Sequence, residues 1–417
     1  MKAKALILLE RAAIRLPFIA TYMLAVNLSV VYFTADWFYT EILYYYEIGQ
    51  HFFIRGDIPY VAFGLEHPPG AFLYFFFLFL LSLNWFPLIY PILNRVFVVA
   101  TALRFQLLRL SQITDILLLF LMSPYIFARY DVFPMLASFF SYLTLFTGRY
   151  LVSGLLLGLG IITKIYPLFL LPMSCIVIFM QPKDCRLKKG IRFFIGLCLG
   201  VGLPLLLLLF FKDPSIFRGI YDNVVAYHAD RGVQSESLIG SFYLLFHVNS
   251  YHNLLVHNYG SWNIREIPSV VVTVITVFQV TGIGLIYMSF YKAIKNGVAN
   301  LANTYLLFVI ELLLIVILLS KVFSPQYLLW PFLFILALIK KERGAPKTCQ
   351  KITMWWLIIS CLTYVLIIVY GSFLAGKPIL LVLLCVRNIS VAILIWIIVR
   401  VIRKNTIHFN THEKTRN

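Results

Sequence analysis

Charge is scarce in this chain. Asp, Glu, Lys and Arg make up 12% of its 417 residues, about half of the roughly 25% found in a soluble domain. Hydrophobic residues make up 61%, and the mean hydropathy is +0.89. A soluble enzyme is excluded. Acid is scarcer than base, 17 Asp and Glu against 35 Lys and Arg, but the basic excess does not gather on one soluble face as nucleic acid would require. Instead 24 of the 35 flank apolar runs, the positive-inside pattern of a membrane protein, and no nucleic-acid partner is expected. The six cysteines (Cys175, Cys185, Cys198, Cys349, Cys361, Cys385) fall in apolar runs or basic loops. They imply neither a disulfide framework nor a metal site. Short alternating strands are lacking too, which excludes an outer-membrane barrel. No small-residue cleavage site closes the apolar run 16–34, so it reads as a retained helix rather than a signal peptide. No inverted internal repeat of the kind found in secondary transporters is visible.

What is present is a succession of apolar runs near the length of about 20 residues that spans a bilayer. With the basic loops inside, the runs give an all-α, polytopic transmembrane helical bundle of about twelve spans, both termini inside. The spans lie near 16–34, 88–110, 112–128, 132–148, 150–164, 166–182, 190–211, 266–291, 301–320, 325–341, 352–373 and 379–402. Residues 69–86 fit this parity as a half-membrane helix that continues into the next span. The chain reads as one transmembrane domain over 1–417, with a first outer loop at 35–68, a second at 213–265 and a basic cytoplasmic tail at 403–417. Within the first outer loop, aromatic and aliphatic residues from 37 to 53 recur at near-helical spacing, which predicts an amphipathic helix lying in the interface.

The polar chemistry is expected on the outer face. Asp36 follows the first span at headgroup level, where a carboxylate is partly desolvated; a solvated interfacial acid would look the same. Gly56-Asp57-Ile58-Pro59-Tyr60 and Glu66-His67-Pro68-Pro69 form a rigid approach to a helix. Arg129-Tyr130-Asp131 and Lys164-Ile165-Tyr166-Pro167 insert charge between apolar helices, which is costly unless the charges pair or face water. Arg129 and Asp131 could satisfy each other; Lys164 has no local partner. The second loop carries Tyr227-His228-Ala229-Asp230-Arg231-Gly232-Val233-Gln234-Ser235-Glu236-Ser237, and Lys321 and Gln326 sit in the turn Lys321-Val322-Phe323-Ser324-Pro325-Gln326-Tyr327-Leu328-Leu329-Trp330. One interfacial carboxylate facing several cations suits a general base and an anionic leaving group.

Taken together, these motifs resemble the GT-C superfamily of polyprenyl-phosphate-sugar glycosyltransferases, most closely glycosyltransferase family 87, and are also similar to the catalytic subunit of GPI mannosyltransferase I. The matching pieces run in the family's order from residue 36 to 330: Asp36, GDIPY, EHPPG, ARYD, TKIYP, YHADRGVQSES and KVFSPQYLLW. The resemblance implies inverting transfer of a hexose, mannose by family, from a lipid-phosphate donor to a lipid-linked or glycan acceptor. That transfer takes place on the non-cytoplasmic face of the plasma membrane, or of the endoplasmic reticulum in a eukaryote. By the same resemblance Asp36 is the catalytic base. Arg129, Lys164, Tyr166, His228, Arg231, Glu236, Lys321 and Gln326 hold the donor's phosphate and sugar, Glu66 and His67 support the site, and the aromatics of 37–53 and 71–79 contact the isoprenoid tail. The family's Tyr-Pro-Pro is His67-Pro68-Pro69 here, and the second aspartate of the GPI-type enzymes is replaced by Trp37 and Phe38. No metal and no cofactor are therefore expected. A lipid or sugar transporter without chemistry is the competing expectation; it draws on the mid-span charges Arg95, Glu311 and Arg387.

Overall fold

The structure, a computed structural model, describes residues 39–107, 113–341, 346–370 and 377–414. The expected first span and Asp36 lie outside them. Helix α1 covers 39–53 and buries Ile42, Tyr45 and Ile48 on one face, as the amphipathic pattern predicts. The apolar run after His67 forms α2 (Pro69–Ser82) and, past a single 3₁₀ turn, α3 (Phe86–Arg104). Then follow α4 (Ile113–Ala128), α5 (Val132–Phe146), α6 (Tyr150–Thr163), α7 (Leu170–Phe179) and α8 (Lys183–Leu209). The second loop contributes the short helices α9 (Ser215–Ile220), α10 (Tyr227–Asp230), α11 (Leu238–Phe246) and α12 (Tyr251–Leu254). The rest is α13 (Ser269–Lys295), α14 (Leu301–Leu318), α15 (Leu329–Lys341), α16 (Pro346–Ile368) and α17 (Pro378–Lys414).

Among the described residues six helices are long and apolar enough to cross a membrane, or seven if the sharply bent pair α4–α5 is one span. The chain is thus a helical, multi-pass membrane protein. Of the twelve expected spans the first lies outside the described residues, α4 and α5 make one at most, and α6, α7 and α15, at 14, 10 and 13 residues, are shorter than the about 20 residues of a full crossing. In addition, α8 starts at Lys183 rather than near 190, since Lys183 to Lys189 continue the same helix. Helix α14 is buried on nearly every side, as an all-round apolar helix should be, whereas only 6% of the apolar window of α13 is covered by protein.

Helices α6 and α8 meet backbone to backbone. A Cβ at Gly154 or Gly158 of α6 would run into the Phe193 or Leu197 carbonyl of α8, and one at Gly196 or Gly200 into the Leu151 or Leu155 carbonyl of α6. This is the small-residue packing by which membrane helices approach closely. It fixes the end of α6, from which Lys164 and Tyr166 follow. The start of α2 is set against the same end, since a Cβ at Gly70 would sit 2.8 Å from the Ile162 carbonyl.

The second loop also holds an antiparallel three-stranded sheet, β1 (Val233–Gln234), β2 (Leu255–Asn258) and β3 (Ser261–Ile264), in the order β1-β3-β2. Tyr259 and Gly260 both take positive φ, 50° and 62°, in the two-residue turn between β2 and β3, the geometry that matches strand twist. The loop is anchored to α17: Arg387 Nη2 donates to the Glu236 carbonyl at 2.6 Å and Asn388 Nδ2 to Ser241 Oγ at 2.9 Å. Leu244, Tyr251 and Ile264 pack with Leu380, Leu381 and Leu384 in a second small core. Arg387, a mid-span charge by sequence, is a structural tie to the loop.

Candidate functional site

Four of the turns that carry charge are made by proline. Pro69 occupies the first turn of α2, where its missing N–H costs nothing. Pro134 lies in the first turn of α5, and α4 stops at Ala128, turning through 116° into α5. Pro167 follows the end of α6 at Thr163, and Pro325 holds Ser324 extended at φ −71° and ψ 138° before α15. In each case the ring denies a hydrogen bond or crowds the preceding residue, which favours a helix end at that point. The residues just before each proline are left at a helix end, and these ends meet.

They enclose a cavity of about 220 Å³ lined by Glu66, His67, Arg129, Tyr130, Asp131, Lys164, Tyr166, His228, Arg231, Gln326, Tyr327 and Trp330, with Glu41 and Tyr45 of α1 on one side. Arg129 Nη1 pairs with Glu41 Oε1 at 2.7 Å, and Lys164 Nζ pairs with Asp131 Oδ1 at 2.6 Å. Trp330 Nε1 donates to the same Asp131 oxygen at 2.8 Å. The Trp330 ring is stacked between Tyr166 and Tyr327, at 4.3 and 4.1 Å between centroids. The pairs differ from the sequence expectation: Arg129 and Asp131 do not satisfy each other, and Lys164 has a partner. Residues two apart do not share a face, so each reaches a different element.

Arg231 has no carboxylate within ion-pair distance among the described residues, and its Nε is buried without a hydrogen-bond partner there, as is Gln326 Oε1. Burial acts to raise the pKa of Glu66, but His67, the Tyr227 hydroxyl and Arg231 outweigh it and hold the carboxyl below the usual range. Burial, aided by Lys164, pushes His67 down to about 4 against the pull of Glu66. The imidazole is therefore neutral at neutral pH, with Nδ1 3.4 Å from the Tyr130 hydroxyl and Nε2 3.9 Å from Glu66. The cavity thus combines an ionised carboxylate, a neutral histidine and a cation open to an incoming anion.

Of the expected site residues, Glu66, His67, Arg129, Lys164, Tyr166, His228, Arg231 and Gln326 line this one cavity. Lys321 and Glu236 do not: Lys321 lies in the next cavity, donating to the Ala229 carbonyl, and Glu236 is buried, accepting from Gln234 Nε2 at 2.8 Å. Glu41 was not singled out by the sequence, and Asp131 and Trp330 were named there only within their turns, without a role in the site. Glu41 shares a helical face with buried Tyr45 and Ile48, at i+4 and i+7, which is the signal that marks it. Among the described residues no three His, Cys, Asp or Glu side chains are grouped as metal ligands.

Burial pushes the Glu236 carboxyl up to about 7 despite Arg387, Arg129 and Arg231. A carboxyl raised in the folded state holds its proton longer there than in the unfolded chain, so folded stability declines as pH rises from about 4.5 to about 7. Thermal midpoints of the purified protein across that window should fall relative to those of Glu236→Gln. Parallel curves would show that Glu236 titrates normally.

No protein-family model matches this chain, and neither the curated proteins nor the solved structures contain a significant match to it.

Proposed function

We infer that the chain is a membrane glycosyltransferase of GT-C type. It moves a hexose, mannose by the resemblance, from a polyprenyl-phosphate sugar to a hydroxyl of a lipid-linked or glycan acceptor, with inversion. The observation that carries this reading is the convergence in one cavity of five motifs remote in sequence, at residues 66–68, 129–131, 164–166, 228–231 and 326–330. About twelve spans with the cavity on the non-cytoplasmic face go with it, because nucleotide sugars are cytoplasmic and a lipid-borne donor is what an outer site can use.

In this mechanism Asp36 takes the proton of the acceptor hydroxyl. The acceptor oxygen bonds to the anomeric carbon as the bond from that carbon to the phosphate oxygen breaks in line. The bonding pair leaves with polyprenyl phosphate, whose charge grows from one to two. Arg231, which makes no ion pair within 4 Å among the described residues, meets that growing charge, while Glu41 and Asp131 hold Arg129 and Lys164 in register around the sugar. Asp36 is five residues before Glu41, so the two Cα atoms are at most about 18 Å apart. A transporter finds less support: Arg387 is spent on the Glu236 carbonyl, and the Arg95 guanidinium lies 4.3 Å over the Phe127 ring.

The test is incubation of the purified protein in lipid with radiolabelled polyprenyl-phosphate mannose and a total lipid extract of its host, beside Asp36→Asn. A labelled product is expected, formed about 10²–10⁴-fold more slowly by the variant, as for loss of a general base, with donor binding unchanged. Undiminished transfer removes Asp36 from the mechanism; no product from any lipid-linked sugar moves the weight to transport.

A further inference from the structure

A separate cavity, of about 600 Å³, opens between α13, α14 and α17. It lies at the far end of α13 from the candidate site: Thr273 borders the cavity that holds Lys321, whereas Lys292 lines this one. A helix rising 1.5 Å per residue separates those two positions by about 28 Å, close to the roughly 30 Å of a bilayer core. The two cavities therefore belong to opposite faces of the membrane. Lys292, in the last turn of α13, and Arg403 of α17 supply the cations here, while Leu285, Phe308 and Ile315 make apolar walls. Among the described residues neither cation has an acid within ion-pair distance.

The cavity's acid is Glu311, the one charged residue of α14. It is 8% exposed, and among the described residues it makes neither an ion pair nor a hydrogen bond. Arg403 is near enough for its charge to act on Glu311, but not to bond to it. A carboxyl buried this way is costly until a cation or a donor meets it. The cavity thus asks for an anion at its cationic end and a cation at Glu311, both next to hydrocarbon. An aminophospholipid carries all three: a phosphate, a primary ammonium with N–H groups to donate, and acyl chains. A trimethylated ammonium has no N–H to give a carboxylate, and a glycerol headgroup brings no cation. Access from the bilayer is open, since α13 is the long helix least covered by protein and Leu285 is 53% exposed.

We propose that this cavity is a binding site for phosphatidylethanolamine, its phosphate between Lys292 and Arg403, its ammonium on Glu311 and its chains along the bare face of α13. The lipid fills the gap between exposed α13 and buried α14. It is neither donor nor acceptor of the sugar transfer, whose site is at the other face. Glu311, a mid-span charge by sequence, is then a lipid ligand rather than part of a transport path.

The experiment uses the full-length protein in phosphatidylcholine nanodiscs that contain phosphatidylethanolamine with a diazirine on one acyl chain. Cross-links are expected on residues 282–293 and 308–315. Unlabelled phosphatidylethanolamine suppresses them, while equal amounts of phosphatidylglycerol or of water-soluble glycerophosphoethanolamine do not. Labelling falls about tenfold in Glu311→Gln, as for loss of a charge-assisted hydrogen bond. It falls comparably in Leu285→Trp, which fills the cavity without touching a charge, and in Arg403→Gln, at an exposed position that leaves the core intact. Thermal midpoints in phosphatidylcholine alone check that the variants fold. Suppression by phosphatidylglycerol as strong as by phosphatidylethanolamine, or labelling indifferent to Glu311→Gln, overturns the proposal. So does suppression by glycerophosphoethanolamine, which would show a site for the free headgroup, and so does labelling spread evenly along α13, which would show ordinary surrounding lipid. No sugar is transferred in this assay, so its outcome stands apart from the enzymatic reading.

Discussion

Asp131→Asn is expected to destabilise the protein by about 3–5 kcal/mol and to abolish the proposed sugar transfer, because it leaves Lys164 charged in the cavity without its ion-pair partner. The same loss is expected of Lys164→Met, which strands a carboxylate that is 1% exposed. Combining the two changes removes both charges at once. The double variant therefore recovers most of the stability, within about 1 kcal/mol of the wild type, since an ion pair replaced whole is close to neutral. The proposed transfer stays lost, because the cation assigned there to the sugar is missing. Chemical or thermal unfolding in detergent, run beside the transfer assay, gives both readouts. Single variants as stable as wild type would show that Asp131 and Lys164 do not depend on each other.

Gly196→Leu is the second substitution with a large effect. Its first added carbon overlaps the Leu151 carbonyl of α6, a backbone atom that cannot swing aside. The helices must part, and the cost is expected to reach at least the about 1–3 kcal/mol of an overpacked core. Since Lys164 follows directly on the end of α6 at Thr163, the displacement reaches the cavity and the proposed transfer is expected to fall with stability. Gly202→Leu on the same helix is the control, for nothing lies within 4 Å of the added carbon. Its stability should stay within about 0.5 kcal/mol of wild type. Equal thermal midpoints for the two variants would mean that α6 and α8 are not held by this contact.

The turns that build the cavity were legible because charge and proline are conspicuous in so apolar a chain. EHPPG, ARYD, TKIYP and SPQYLLW each announce a helix end with a polar group beside it. The pairing was not legible, because it crosses between turns: Arg129 finds Glu41 in the first loop and Asp131 finds Lys164 33 residues later. The helix over 39–53 could be read from its periodicity. The sheet could not, since its strands are two to four residues long, at or below the length at which alternation becomes a signal. The count of about twelve spans came from charge parity, which registers how often the chain changes side but not helix length, so the shortness of α6, α7 and α15 was not legible.

The ion pairs are also out of step with biosynthesis. A ribosome adding about 5–20 residues per second delivers Arg129 and Asp131 to the membrane before their surroundings are complete. Asp131 waits 33 residues for Lys164 and 199 for Trp330, roughly 2–7 and 10–40 seconds at that pace. Arg129 does not wait, because Glu41 is already made. The bend between α4 and α5 therefore enters the membrane region with its cation neutralised and its acid exposed, and it can settle only when α6 arrives. The order of synthesis makes α6 the helix on which insertion of this hairpin depends.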